Sequence, residues 1–305
     1  MKFERDLVLA QSRPSLFADL IVLTKARIGL MVGLSAFLGA VLARQGSASQ
    51  ALEAAAWITL VAGAGGVFNQ VLERDSDRRM QRTLDRPLPS GRISTARAIA
   101  FGSVLVTLGV AGLALRFNAL ASLLALATLF AYVAIYTPLK RVSTLNTLVG
   151  AIPGAAPPLL GYVAIAHHTG PWAWALFGLM FVWQFPHFLA IAWLYREDYA
   201  RAGMRMLPSM PGGPNVAARA ALLYSLVLVP VALVPAVAGD AGNVYGIGAL
   251  FATLGYVVAA ALFALRPAER SARTLLYVSL VYLPLVLSLA LIDSTSHATS
   301  VVLAR

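Results

Sequence analysis

Asn69, Glu73 and Asp77 recur at intervals of four residues where a long apolar run gives way to a polar one. At 3.6 residues per turn this spacing places all three on one face of a helix, so a ladder of side-chain oxygens points in one direction. Carboxylate and amide oxygens suit hard cations, and Mg²⁺ is usually held by a few carboxylates together with the phosphate oxygens of a substrate. Arg74, Arg78, Arg82 and Arg86 follow the same four-residue interval and offer planar forks for phosphate oxygens. Mixed acids and bases fit a magnesium-bound diphosphate better than a simple patch for anionic lipid headgroups. The plain alternative is a solvated row of salt bridges at a helix end, each worth about 0 to 1 kcal/mol. Asn69 weighs against it, because a polar group at a membrane boundary is expensive.

A second polar stretch carries comparable chemistry. The run FVWQFPHFLAIAWLYREDY places Trp183, Gln184, His187 and Trp193 ahead of Arg196, Glu197 and Asp198. Gln184 and His187, three residues apart, share a helical face and read as substrate contacts. A lone His is otherwise a hydrogen-bonded packing residue, and Trp near a span end marks an interface. A third segment, YTPLKRVS, brings Tyr136, Lys140 and Arg141 to the end of another apolar run. Lys140 and Arg141 serve equally as phosphate binders or as topology signals.

The elements that position these residues are membrane spans. Hydrophobic types make up 59% of the 305 residues and charged types only 12%, with a mean hydropathy of +0.76, about half the charge of a soluble domain. Apolar stretches long enough to cross a bilayer fall near 20–42, 50–72, 96–115, 118–136, 144–166, 172–194, 217–238, 244–265 and 273–292. The expected fold is therefore all-α and integral to the membrane: nine transmembrane helices with two long polar loops, 73–95 and 195–216. Residues 1–19 form a cytoplasmic segment unlike a cleavable signal peptide, 20–292 a single polytopic domain, and 293–305 a short periplasmic tail.

The net charge of +11 raises the question of nucleic acid, and the placement of charge answers it. All of the 24 Lys and Arg except Arg44, Arg116 and Arg305 fall on one side of this nine-span arrangement. That is the positive-inside pattern of a multi-pass protein with its amino terminus in the cytoplasm and its carboxyl terminus outside. The lipid bilayer is the partner this basicity implies, and no nucleic-acid motif is present. Cysteine is absent, which removes disulfides and thiolate metal sites.

The two loops, LERDSDRRMQRTLDRPLPSG and LYREDYARAGMRMLPSMPGG, follow spans two and six and lie on the same membrane face. A parallel duplication of a four-helix unit and chance likeness between short polar loops explain this equally well. Between Gly150 and Gly161, GAIPGAAPPLLG either loosens the fifth helix through its prolines or packs it closely through small residues.

The run N-x-x-x-E-R-D-x-D-x-x-M-x-R-T-x-x-R-P-L-P-x-G from Asn69 to Gly91 resembles the protoheme IX farnesyltransferase family, within the intramembrane aromatic prenyltransferases. LTKARI from Leu23 to Ile28, YTPLKR, WQFPHF, AWLYREDY and GMRML extend the resemblance over roughly residues 20–290. Ala26 stands where the family usually has Pro. The resemblance implies nine helices around a central cavity capped by two cytoplasmic loops in a bacterial inner membrane. It implies transfer of farnesyl from farnesyl diphosphate to protoheme IX with addition of water, giving haem O and diphosphate. Catalytic roles fall to Asn69, Glu73, Asp77 and His187, with Mg²⁺ on Asn69, Glu73, Asp77 and Asp198. Diphosphate contacts are expected from Arg74, Arg78, Arg82, Arg86, Lys140 and Arg141, and haem contacts from Gln184, His187, Arg196 and Asp198. A downstream haem-modifying or oxidase-assembly protein is an implied partner. The runner-up is a prenyltransferase acting on a quinone precursor or other aromatic acceptor. A transporter or headgroup-binding protein is disfavoured, because few polar residues lie deep in the spans.

Overall fold

The computed structural model describes residues 14–303, with side chains through Asp293; residues 1–13 of the expected amino-terminal segment and residues 304–305 of the expected tail lie outside the described residues. Ser15 accepts a hydrogen bond from the Ala18 amide at 3.2 Å and starts α1, Leu16–Leu23. Lys25 then adopts a left-handed conformation, φ 53° and ψ 50°, before α2 runs through Ala26–Leu42. A left-handed residue that is not glycine interrupts the helical hydrogen-bond ladder. The two pieces meet at a bend of 53°. Hydropathy, which is blind to backbone angle, reads the same stretch as one span.

The next helix, α3, spans Ala48–Asp77, opened by a reciprocal capping box between Ser47 and Gln50. Its 30 residues reach about 45 Å, longer than a hydrocarbon core. The stretch past residue 72 carries Glu73 and Asp77 on the same rigid rod as Asn69. Two Ser and Asn caps open α4, Thr95–Arg116, and α5, Ala119–Phe130. A π-helical turn, Ala131–Tyr136, links α5 to α6, Thr137–Val142, in one continuous rod. Then follow α7, Asn146–Ala166, α8, Pro171–Leu194, the short α9, Arg196–Arg201, and a 3₁₀ turn, Leu207–Ser209. The chain closes with α10, Gly213–Val237, α11, Asn243–Leu265, and α12, Glu269–Leu303, which carries on past the expected end of its span.

Among the described residues eight helices are long and apolar enough to cross a membrane, and nine spans result when bent α1–α2 counts as one. Helix α2 packs on α3 and α7, α3 on α4, α7 on α8, and α8 on both α10 and α12; α10 packs on α11, α11 on α12, and α12 returns to touch α2. The bundle is thereby closed. Phe17, Leu115 and Val237 are among the exposed large apolar side chains of its outer surface, as expected where lipid is the solvent.

Helix α7 resolves the choice left open by its prolines. Despite Pro153, Pro157 and Pro158 it runs unbroken from Asn146 to Ala166, and most of it is buried. Small residues are the reason for its close packing. A Cβ on Gly39 would collide with the Pro158 carbonyl, and one on Gly161 with the Ala36 carbonyl, so α2 and α7 approach backbone to backbone.

Candidate active site

The ladder on α3 is buried: Asn69 is fully enclosed, and Glu73 and Asp77 nearly so. Each rung meets one cation. Lys25 Nζ donates to Asn69 Oδ1 at 2.6 Å, Lys140 Nζ to Glu73 Oε1 at 2.9 Å, and Arg86 to Asp77 Oδ2 at 2.8 Å. The cations arrive from three separate elements. Lys25 sits at the α1–α2 break, Lys140 on α6, and Arg86 in the loop after α3. Enclosing two carboxylates and three cations costs solvation that their mutual attraction does not reliably return, so this cluster is better explained by chemistry than by stability.

Supporting contacts fix the rungs. Asn69 Nδ2 donates to Thr137 Oγ1 at 3.0 Å, and Thr137 Oγ1 donates to the Tyr132 carbonyl at 2.8 Å across the π-helical turn. The amide is thereby oriented with its oxygen toward Lys25. Tyr132 and Tyr136 stack with centroids 5.4 Å apart, and Lys140 Nζ lies 4.5 Å from the Tyr136 ring centroid. The Tyr132 hydroxyl is 3.4 Å from Lys25 Nζ. Asp77 Oδ1 is sealed from solvent and has no hydrogen-bond partner among the described residues. An orphaned buried carboxylate oxygen calls for an explanation, and an absent ligand is one.

The remaining arginines diverge from the ladder. Helix α3 ends at Asp77, so the four-residue interval stops placing residues on one face. Arg74 turns toward Thr95 Oγ1 at 3.5 Å with its Nε unpartnered, and Arg78 donates to the Pro89 carbonyl at 3.1 Å and lies 3.8 Å from Asp75. Arg82 joins the two loops: it donates to the Tyr199 hydroxyl at 2.8 Å and lies 5.1 Å from the ring centroids of both Tyr195 and Tyr199. Arg141 donates to the Leu72 carbonyl at 2.8 Å, pinning α6 against α3. The structure therefore gathers Asn69, Glu73, Asp77, Arg86 and Lys140 into one cluster and leaves Arg74, Arg78 and Arg141 engaged elsewhere.

The second loop closes onto the first. Met80 packs with Met204, Met206, Ala192 and Ala202. The Arg205 amide donates to the Lys140 carbonyl at 2.7 Å, so the second loop also steadies a residue of the ladder's shell. Arg196 donates to the Trp193 carbonyl at 2.9 Å and lies over its ring at 4.2 Å, while Asp198 pairs with Arg201. Gln184 Nε2 donates to the Ala151 carbonyl at 2.8 Å from a buried position, with its Oε1 against Gly154. His187 faces α12: its Nδ1 is 2.7 Å from Ser279 Oγ, and its ring stacks on Trp183 at 5.0 Å. Among the described residues no three His, Cys, Asp or Glu side chains gather at one point. The ladder offers two carboxylates and one amide.

Lys25, Tyr132, Thr137 and Ser279 are the site residues that spacing alone does not assign. A lysine inside an apolar run, in LTKARI, is the signal that marks the first of them.

Comparison with known proteins agrees with this architecture. The chain is 44% identical to a protoheme IX farnesyltransferase of Solibacter usitatus over 77% of its length and 80% of the relative's. It is 40% identical to the protein of that name in Koribacter versatilis, over 94% of this chain and 97% of that one. Its fold matches a structure of digeranylgeranylglyceryl phosphate synthase with a TM-score of 0.75 at 18% identity, covering 90% of this chain and 97% of the other. An Archaeoglobus fulgidus UbiA homolog bound to GPP and Mg²⁺ matches with a TM-score of 0.56 at 16% identity, covering 89% and 99%. The UbiA prenyltransferase family model matches residues 32–281, which take in the whole ladder, Lys140, His187 and Ser279. This chain, a multi-pass membrane protein with a buried acidic ladder ringed by cations, belongs to the UbiA prenyltransferase family.

Proposed function

We propose that the chain transfers a farnesyl group from farnesyl diphosphate to a vinyl group of protoheme IX, with addition of water, to give haem O and diphosphate. The observation that carries the reading is the buried ladder on α3 with one cation on each rung. Relatives over 90% and more of the chain bear the name protoheme IX farnesyltransferase, which supports protoheme as acceptor and farnesyl as donor. The expected setting is a bacterial inner membrane, with the ladder end of the bundle in the cytoplasm.

The residues fit Mg²⁺. Glu73 and the orphaned Oδ1 of Asp77 are hard oxygen donors one helical turn apart, with Asn69 Oδ1 above them. When bound, the ion neutralises charge on the departing diphosphate. Lys25, Lys140 and Arg86 are then within reach of phosphate oxygens as well as of the ladder, and Arg86 can engage two at once. The donor's C1–O bond breaks, its C1 bonds to the terminal vinyl carbon, and water adds to the inner vinyl carbon, giving up its proton to the released diphosphate. Placed in a closed, mostly apolar bundle, the allylic cation is shielded from premature capture by water. Gln184 and His187 stand on the acceptor side. Asp198 is a candidate for a further metal contact once it leaves Arg201.

The test is an assay of detergent-purified protein with protoheme and farnesyl diphosphate. Diphosphate release and loss of protoheme should run in parallel, require Mg²⁺ and stop with a chelator. Release that proceeds without protoheme, or unchanged after chelation, would contradict the reading.

A further inference from the structure

His187 is held in one protonation form by its neighbours. Ser279 Oγ lies 2.5 Å from the Leu276 carbonyl, and its one hydrogen is committed to that acceptor. The same oxygen is 2.7 Å from His187 Nδ1, so Nδ1 must supply the hydrogen of the second bond. Nδ1 therefore carries a proton; with aromatic rings packed on the imidazole and no carboxylate of the described residues against it to hold a positive charge, the ring is neutral and Nε2 keeps its lone pair. The ring is fixed in place as well as in tautomer. It stacks on Trp183 with an interplanar angle of 22°, and Trp183 is tied by its Nε1 to the Ser279 carbonyl at 3.0 Å and through its own carbonyl to the Tyr256 hydroxyl at 3.1 Å.

Nε2 is the one polar atom of this arrangement without a partner among the described residues. The sealed side-chain atoms that lack partners are Gln70 Oε1, Arg74 Nε, Asp77 Oδ1 and Trp193 Nε1. Nε2 of His187 is not among them, so this nitrogen keeps some accessible surface on a half-buried residue. A neutral imidazole whose distal nitrogen is bare and whose other nitrogen donates to a fixed oxygen is the arrangement of a metal-ligating histidine. No carboxylate of the described residues appears among its contacts, which are Trp183 and Phe188 on α8, Ser279 on α12 and, at its backbone, the Tyr256 hydroxyl of α11. The acceptor of the proposed reaction carries an iron that takes imidazole nitrogen as an axial ligand.

We propose that His187 Nε2 ligates the iron of the protoheme substrate, with Ser279 as the positioning residue that sets the tautomer. The proposal rests on protoheme being the acceptor. It gives α8 and α12 a recognition task separate from the diphosphate end: the iron anchors the porphyrin so that one edge faces the ladder.

Ferric protoheme titrated into detergent-purified protein, followed by absorption and electron paramagnetic resonance, tests the ligand without turnover. The intact protein should show nitrogen-ligated iron. His187→Ala should lose that signature and bind protoheme at least about 10-fold more weakly. His187→Met keeps the space filled with a thioether and should move the signature to that of sulfur-ligated iron. Ser279→Ala should keep nitrogen ligation but weaken binding by on the order of 10-fold. Identical spectra for the intact protein, His187→Ala and His187→Met would overturn the proposal. If such a protein still makes the farnesylated product, only the iron contact falls; if it neither binds protoheme nor makes product, the acceptor assignment falls with it.

Discussion

The ends of α3 and α8 nearest the two long loops do opposite things with polar residues. On α3, Asn69, Glu73 and Asp77 are buried against Lys25, Lys140 and Arg86, so charge is concentrated, with two carboxylates and one amide facing three cations at 2.6 to 2.9 Å. On α8, Gln184 and His187 spend their donors on a backbone carbonyl and a serine, and the His187 ring packs against Trp183 and Phe188. The charges of the second loop, Arg196, Glu197, Asp198 and Arg201, are paired or stacked among themselves. Under the proposed function, the contrast gives the charged reactant to α3 and the flat reactant to α8. Within one fold, loop and helix-end composition decides which substrate half each region takes.

Breaking the α3 side should have the largest effect. Glu73→Gln removes a carboxylate and leaves Lys140 buried without its partner; turnover should fall by about 10³-fold in a steady-state assay with both substrates saturating. Lys140→Met and Lys25→Met each withdraw a cation from the leaving group and should cost about 10² to 10³ in kcat, with protoheme affinity by titration unchanged. Next comes the clasp between the loops. Arg82→Ala gives up a cation held between two aromatic rings and should reduce kcat/KM for farnesyl diphosphate by about 10-fold, with Arg82→Lys in between. Smallest is Arg78→Ala, which removes a side chain that among the described residues meets the Pro89 carbonyl and Asp75, and should change kcat/KM by less than about 2-fold. An Arg78 effect as large as that of Lys140 would erase the distinction between the ladder's cations and the outer arginines.

Hydropathy alone carries nine spans and the location of the two loops, because crossing lipid demands long apolar helices. The ladder is equally plain, since Asn69, Glu73 and Asp77 belong to one unbroken helix. What spacing misses has physical causes. Arg74 shares the interval of four with Arg78, Arg82 and Arg86, yet α3 stops at Asp77, so only Arg74 lies on the helix and the other three side chains leave the chain beyond it for different places. Lys25 reaches the ladder only because the chain turns left-handed there, and nothing in LTKARI specifies a backbone angle. The π-helical turn at Ala131–Tyr136, which delivers Thr137 to Asn69, likewise has no periodic trace. Ser279 lies 92 residues from His187, so their contact depends on how α12 returns to α8.

The most direct measurement of the central claim is the mass of haem extracted from bacterial membranes expressing this chain, beside the Glu73→Gln variant and an empty vector. A new haem heavier by one farnesyl group and one hydroxyl, present only with the intact ladder, is the predicted result. Unchanged haem from membranes that contain the folded protein would contradict protoheme as the acceptor, and the new haem in the Glu73→Gln sample would contradict the role given to the ladder.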